Sequence, residues 1–60
     1  MQEYYIEDDE GAFWCENGFG YWSKFESSKK HRFQGILIWV LPLYLIMKLS
    51  GVNCILKKIR

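Results

Sequence analysis

The chain has little of what metal centres and catalytic sites require. Its 60 residues include two cysteines and one histidine, too few for the four Cys or His ligands of a structural zinc site. The histidine, His31, stands far along the chain from Cys15, and no third group is evident that would orient a Cys–His pair. The sequence therefore predicts no metal, no cofactor and no small-molecule substrate, and it predicts that the protein is not an enzyme.

Acidic residues are absent after Glu26. All seven Asp and Glu residues lie within residues 1–26, whereas seven of the eight Lys and Arg residues lie within 27–60, so the formal net charge of +1 hides two unlike halves. An acidic first half and a short basic cluster exclude nucleic acid as a partner. The acidic beginning also excludes an N-terminal signal peptide, which needs a basic start and an early apolar run.

Charge is also scarce in the longest apolar run, Ile36–Leu56, which reads ILIWVLPLYLIMKLSGVNCIL and contains the one proline, Pro42. As a helix, the segment 35–56 extends roughly 33 Å at about 1.5 Å per residue, and the hydrocarbon core of a bilayer is about 30 Å thick. Membrane helices also carry proline more readily than soluble ones. The length and composition predict a single transmembrane helix over 35–56.

Lys48 is the main obstacle to membrane insertion. The run holds thirteen Leu, Ile, Val and Met residues, each worth about −0.3 to −0.6 kcal/mol, against about +2.5 to +3.5 kcal/mol for one lysine near the helix centre. The long side chain of Lys48 can reach towards the interface, or it can face a partner helix. Basic residues flank the run on both sides, and a spanning helix places them at lipid headgroups: Lys29, Lys30, Arg32, Lys57, Lys58 and Arg60.

The same residues can instead form the core of a compact soluble α+β miniprotein. Ile36–Val40 is β-branched and aromatic enough for a buried strand, and Leu43–Met47 can return as a second strand or a helix. In that fold Cys15 and Cys54 can form a disulfide, and closing a loop of this length adds roughly 3 to 4 kcal/mol. Across a spanning helix the two cysteines cannot meet.

Asn17-Gly18 stands between two runs rich in aromatic residues, a pattern that predicts a β-hairpin with a type I′ turn. A two-residue loop places Trp14 opposite Tyr21 and distributes aromatic side chains over both faces. Both faces then need cover. Either Tyr4–Ile6 and the rest of the chain supply it, or a partner protein does, since Trp and Tyr dominate binding hot spots. The predicted partner-binding residues are Phe13, Trp14, Phe19, Tyr21, Trp22 and Lys48.

The predicted organisation is a small membrane protein in which an aromatic β-hairpin precedes a single transmembrane α-helix. Its segments are an acidic leader (1–10), the hairpin (11–26), a basic juxtamembrane joint (27–34), the helix (35–56) and a basic tail (57–60). The last four residues also match the dilysine pattern of endoplasmic-reticulum retrieval signals, but a basic stop after a membrane span is the favoured explanation.

Three functional hypotheses follow. The first is an accessory or regulatory single-pass subunit of a larger membrane protein assembly, held to lipids and to a partner through the helix and the aromatic hairpin. The second is a soluble protein-binding module or inhibitor, such as a phage or host accessory factor. The third is a small membrane-active toxin, which the short span with cationic flanks favours.

Overall fold

A computed structural model describes residues 2–59 as an antiparallel sheet with one α-helix packed on it. The sheet has five strands, and a short 3₁₀ helix follows the third of them. In chain order the elements are β1 (Tyr4–Asp8), β2 (Phe13–Glu16), β3 (Gly20–Ser23), the 3₁₀ helix (Glu26–His31), β4 (Gln34–Gly35), α1 (Leu37–Leu49) and β5 (Cys54–Lys58).

Strand β1 is the centre of the sheet. One edge pairs with β5 along its whole length, and Ile6 lies opposite Leu56. The other edge is shared, because Glu7 lies opposite Phe13 of β2 while Tyr5 lies opposite Gln34 of β4. Alternation along β1 turns Ile6 towards α1 and Tyr5 and Glu7 towards the opposite face.

The predicted β-hairpin is confirmed, but its predicted register is wrong. Glu16 lies opposite Gly20 and Trp14 lies opposite Trp22, so the loop has three residues rather than two. A type I′ turn needs positive φ at both central residues. Gly18 has φ +78°, and no non-glycine residue from 2 to 59 has positive φ. The shift of one place puts Trp14 and Trp22 on the same face, with ring centroids 5.1 Å apart in an edge-to-face arrangement.

The apolar run does not continue as a helix to Leu56, because α1 ends at Leu49. Gly51 takes φ +84°, and its N–H donates to the carbonyl of Lys48 at 3.1 Å. The next N–H, from Val52, donates to the carbonyl of Met47 at 2.9 Å. These two bonds form a Schellman motif, the common way in which a glycine ends a helix and turns the chain away. The chain then returns as β5.

The predicted transmembrane helix is therefore wrong. The 13 residues of α1 extend about 20 Å, whereas a bilayer core is about 30 Å thick. Within residues 2–59 the structure contains no helix with the length and apolar character needed to cross a membrane. The single-pass fold class and the single-pass membrane localisation are both contradicted, and the hint of endoplasmic-reticulum residence depended on the same topology. The predicted small size and the predicted β-hairpin are confirmed, and the chain has a small α+β fold.

The core lies between α1 and the sheet. Ile6 and Val40 are fully buried there, with Met47 and Cys54 close to fully buried. Partly buried apolar side chains pack around these four: Trp14, Trp22, Phe33, Leu43, Tyr44, Val52 and Leu56.

The 3₁₀ helix lies on the opposite face of the sheet, over β2. The Cys15 thiol, on that face of β2, lies 3.7 Å from the carbonyl of Ser28. The two helical segments therefore lie on opposite sides of the sheet.

This arrangement predicts unequal costs for two matched substitutions in paired strands. Ile6→Ala removes a fully buried side chain and should lower the free energy of unfolding by about 2–5 kcal/mol. Ile55→Ala, on the other face and 48% exposed, should cost less than half as much. Urea unfolding followed by tryptophan fluorescence measures both. Equal costs for the two variants would contradict the assignment of faces.

Candidate functional site

The outer face of α1 is apolar and exposed. Val40 and Met47 point into the core, and at about 100° per residue the side of the helix opposite to them is occupied by six residues within an arc of about 120°. We call this surface the α1 face. Its members are Ile38, Trp39, Pro42, Leu45, Ile46 and Leu49.

The side chains of the α1 face are exposed to an unusual degree for large apolar residues. The exposed fractions are 78% for Ile38, 62% for Trp39, 49% for Leu45, 60% for Ile46 and 89% for Leu49. With about 150–250 Å² for a fully exposed large side chain, these fractions amount to on the order of 600 Å² of apolar surface. That is the upper end of the largest apolar patch on a typical monomer, about 300–600 Å², and patches of this size are often binding sites.

No charged residue interrupts the α1 face. The nearest, Lys48, lies on its flank and turns away from it, because its Nζ donates to the carbonyl of Cys54 at 3.3 Å. Pro42 is part of the face, and its missing N–H leaves the carbonyl of Ile38 without the usual helical partner. The face is thus uncharged and carried by a rigid element.

The aromatic hairpin residues predicted to bind a partner are divided among three environments. Phe13 is buried, and Trp14 and Trp22 pack against the core beneath α1. Phe19, in contrast, is 70% exposed at the hairpin tip, with its ring centroid 5.2 Å from that of Tyr21. The predicted set therefore does not form one surface.

Gly20 makes room for the indole ring of Trp14. A Cβ atom at Gly20 would overlap the indole ring of Trp14. The absence of a side chain at Gly20 therefore lets this ring lie across the end of β3. The Trp14 indole N–H also donates to the Glu16 carboxylate at 3.1 Å.

The basic residues predicted to lie at lipid headgroups are also separated. Lys29 and Lys30 belong to the 3₁₀ helix, on the side of the sheet opposite α1. Lys57 lies 3.8 Å from the Glu7 carboxylate, and Lys58 pairs with Tyr4 in the sheet. Arg60 lies outside the described residues.

Arg32, the remaining member of that set, is held within the fold. Its guanidinium carbon lies 4.2 Å from the centroid of the Tyr5 ring and 5.7 Å from that of Phe13, and its Nε donates to the Gln34 side chain at 2.8 Å. Burial raises the pKa of Tyr5, and the Glu7 carboxylate raises it further, while Arg32 opposes both. Arg32 thus helps to close the second face of the sheet.

The two cysteines are free and buried. Cys15 lies on the face of the 3₁₀ helix and Cys54 in the core under α1, so the disulfide considered for a compact fold is not formed. Burial raises the pKa of both thiols; Tyr21 and Arg32 oppose this at Cys15, and Lys48 opposes it at Cys54. A buried thiol with a raised pKa is expected to react slowly.

Within the described residues, 2–59, the structure brings together no other cluster with evident chemistry. Among residues 2–59 no three His, Cys, Asp or Glu side chains are close enough to hold a metal ion. His31 lies 3.3 Å from the Asn17 amide nitrogen, which ties the hairpin loop to the 3₁₀ helix. The α1 face is the feature of the described chain that most needs explanation.

The α1 face lies inside the segment predicted to bind a partner, but the predicted surroundings of that segment, a lipid bilayer, are wrong. The signal that was missed is Ser50-Gly51, a helix end within the apolar run. The apolar run before it fits a helix in contact with a protein as well as one in contact with lipid.

The comparisons with known proteins add no relative. No protein-family model, no curated protein sequence and no solved structure matches the chain. The function must therefore be inferred from the geometry alone.

The buried thiols lead to a prediction about reactivity. At pH 8, alkylation of Cys15 and Cys54 by iodoacetamide should be at least about tenfold slower in the folded protein than in denaturant, because burial disfavours the thiolate. Mass spectrometry of timed samples measures each site. A thiol that reacts at the denatured rate in native buffer would contradict its buried position.

The raised pKa values of the two thiols also set the direction in which the stability of the fold changes with pH. A raised thiol pKa means that the folded state keeps its protons to higher pH than the unfolded chain does. The contribution of the thiols to stability is therefore complete below the ordinary thiol pKa of about 8.5 and is lost as the pH rises above it.

Proposed function

We propose that this chain is a protein-binding module that docks through the α1 face. The observation that carries the proposal is the exposure of six apolar residues, without a charge, along one side of a helix whose other side is buried. Presenting a helix face to an apolar groove or to another helix is a recurrent mode of protein recognition. The proposal keeps partner binding from the earlier hypotheses and drops the spanning helix.

The way α1 is held supports a binding role. Val40 and Met47 anchor it to the sheet, and the Schellman motif at Gly51 fixes its end. Because the helix is already formed, a partner does not have to order it, and the cost of ordering a segment on binding is avoided. A preformed helix face of this size fits a binding module that acts by covering a surface of its partner. If the bound partner is thereby blocked, the module is an inhibitor.

Trp39 is the residue of the α1 face best suited to act as an anchor. It is 62% exposed, yet its ring is not free, since it lies 5.8 Å from the Phe33 ring and against Gly35. A large aromatic side chain held in place before binding loses little conformational freedom when a partner covers it. Tryptophan is also among the residues that dominate binding energy in interfaces.

A charge placed on the α1 face should weaken partner capture. Ile38→Glu puts a carboxylate in the first turn of α1, where the helix dipole tolerates it, and Ile38 is 78% exposed, so folding should be kept. Burying that charge against a partner should weaken binding by at least about tenfold. The measurement is quantitative mass spectrometry of proteins captured by the tagged chain from cells that also make an untagged wild-type copy, so that a second copy counts among the captured proteins.

Phe25→Glu is the matched control, because Phe25 is 74% exposed and lies at the start of the 3₁₀ helix, away from α1. Proteins captured by the wild-type chain and by Phe25→Glu but lost with Ile38→Glu would support the proposal. An identical set of captured proteins for all three chains would contradict it.

A further inference from the structure

We infer that the partner on the α1 face is a second copy of this chain, packed with its helix antiparallel to the first. This inference rests on the proposed function and names its occupant. The central stripe of the face consists of Ile38, Pro42, Leu45 and Leu49, whose spacing of four, three and four residues reads the same in both directions. A two-fold axis beside the midpoint of the stripe places Ile38 over Leu49 of the other copy, and Pro42 over Leu45.

The charges on the surface permit this self-association. The α1 face itself has none, so two copies do not bring like charges together at the centre of the contact. Lys48 lies on the flank, and in the antiparallel dimer the two copies of this lysine are about 13 Å apart along the helix axes at about 1.5 Å per residue. That separation exceeds the Debye length of about 8 Å at physiological ionic strength. Antiparallel helices also place opposite dipole ends side by side.

The residues at the flanks of the α1 face also find apolar partners across the proposed two-fold axis. A two-fold axis of this kind brings the same flank of both helices together, so Trp39 of one copy lies beside Ile46 of the other. Pro42, the smallest side chain of the face, lies next to the axis and allows the helices to approach closely. Every exposed residue of the face then has an apolar neighbour in the other copy.

The available area matches what a dimer needs. About 600 Å² from each copy gives roughly 1,200 Å² in total, which is the lower end of the range for specific, stable interfaces. Contacts at the flanks add to that value. The area therefore predicts a reversible dimer rather than an obligate one.

Sedimentation equilibrium tests the oligomeric state directly. The 7.2 kDa chain should give a concentration-dependent mass that approaches twice this value, 14.4 kDa. Leu45→Glu places two carboxylates about 5 Å apart along the helix axes and should weaken the dimer by at least tenfold. Phe25→Glu should dimerise like the wild-type chain.

A mixture of variants separates a lost interface from a damaged fold. Leu45→Glu and Leu45→Lys should each be monomeric alone and should form a heterodimer when mixed, because their charges are then opposite. A misfolded variant would not be rescued in this way. Near-ultraviolet circular dichroism of the three tryptophans checks the packing of each variant.

Disulfide trapping tests the antiparallel geometry. A mixture of Ile38→Cys and Leu49→Cys chains should crosslink readily under mild oxidation, because the two positions face each other. Ile38→Cys alone should crosslink poorly, since its two copies are about 16 Å apart along the axes and a disulfide needs Cα atoms within about 7 Å. Preferential crosslinking of Ile38→Cys to itself would contradict the proposed orientation.

A monomeric mass at all concentrations up to about a millimolar would overturn the dimer. The proposed function would still stand if capture of another protein depended on Ile38, so the two failures are distinguishable. A monomer that sediments with phosphatidylcholine vesicles, and loses this property in Leu45→Glu, would overturn the dimer in favour of a lipid surface.

Discussion

The rest of the fold depends on the chain reversal at Gly51. The two hydrogen bonds from Gly51 and Val52 to Lys48 and Met47 end α1 and turn one apolar run into a helix and a strand. Because the chain turns here, β5 can reach β1 and pair with it from Cys54 to Lys58. A glycine at this place is a conformational requirement, since positive φ costs other residues about 1–2 kcal/mol. Val52 also packs on the core that contains Met47, which is the apolar contact that accompanies this motif.

The reversal also decides which apolar residues are buried. A chain of 60 residues has little interior, and here that interior is filled by one side of α1 and one face of the sheet. The second face of the sheet is covered in part, by the 3₁₀ helix over β2 and by Arg32 over Tyr5. Nothing else in the described chain remains to cover the outer side of α1. The α1 face is thus exposed because so short a chain has no further element to pack against it. We propose that a partner covers this face.

The parts of the fold that the sequence predicted are those encoded locally. Asn17-Gly18 indicated a hairpin, and a hairpin is present. Its register was wrong because only Gly18 takes positive φ, so Phe19 joins the loop. The helix within Ile36–Leu56 was predicted too long. The total hydrophobicity of the run contains no information on where a helix ends, and Ser50-Gly51 is the local pattern that ends it. The pairing of β5 with β1 links segments that are distant in the chain, and no local pattern specifies it. The α1 face fell inside a predicted binding helix, but its exposure depends on which elements pack against the other side.

The central claim is that the apolar run folds back at Gly51 instead of crossing a membrane, and nuclear magnetic resonance in detergent-free buffer tests it most directly. The structure predicts cross-strand nuclear Overhauser effects between β1 and β5, with Ile6 close to Leu56 and Glu7 close to Ile55. It also predicts that the sequential helical contacts stop at Ser50. Helical contacts that continue through Val52 and Asn53 to Leu56, together with the absence of cross-strand contacts, would contradict this account.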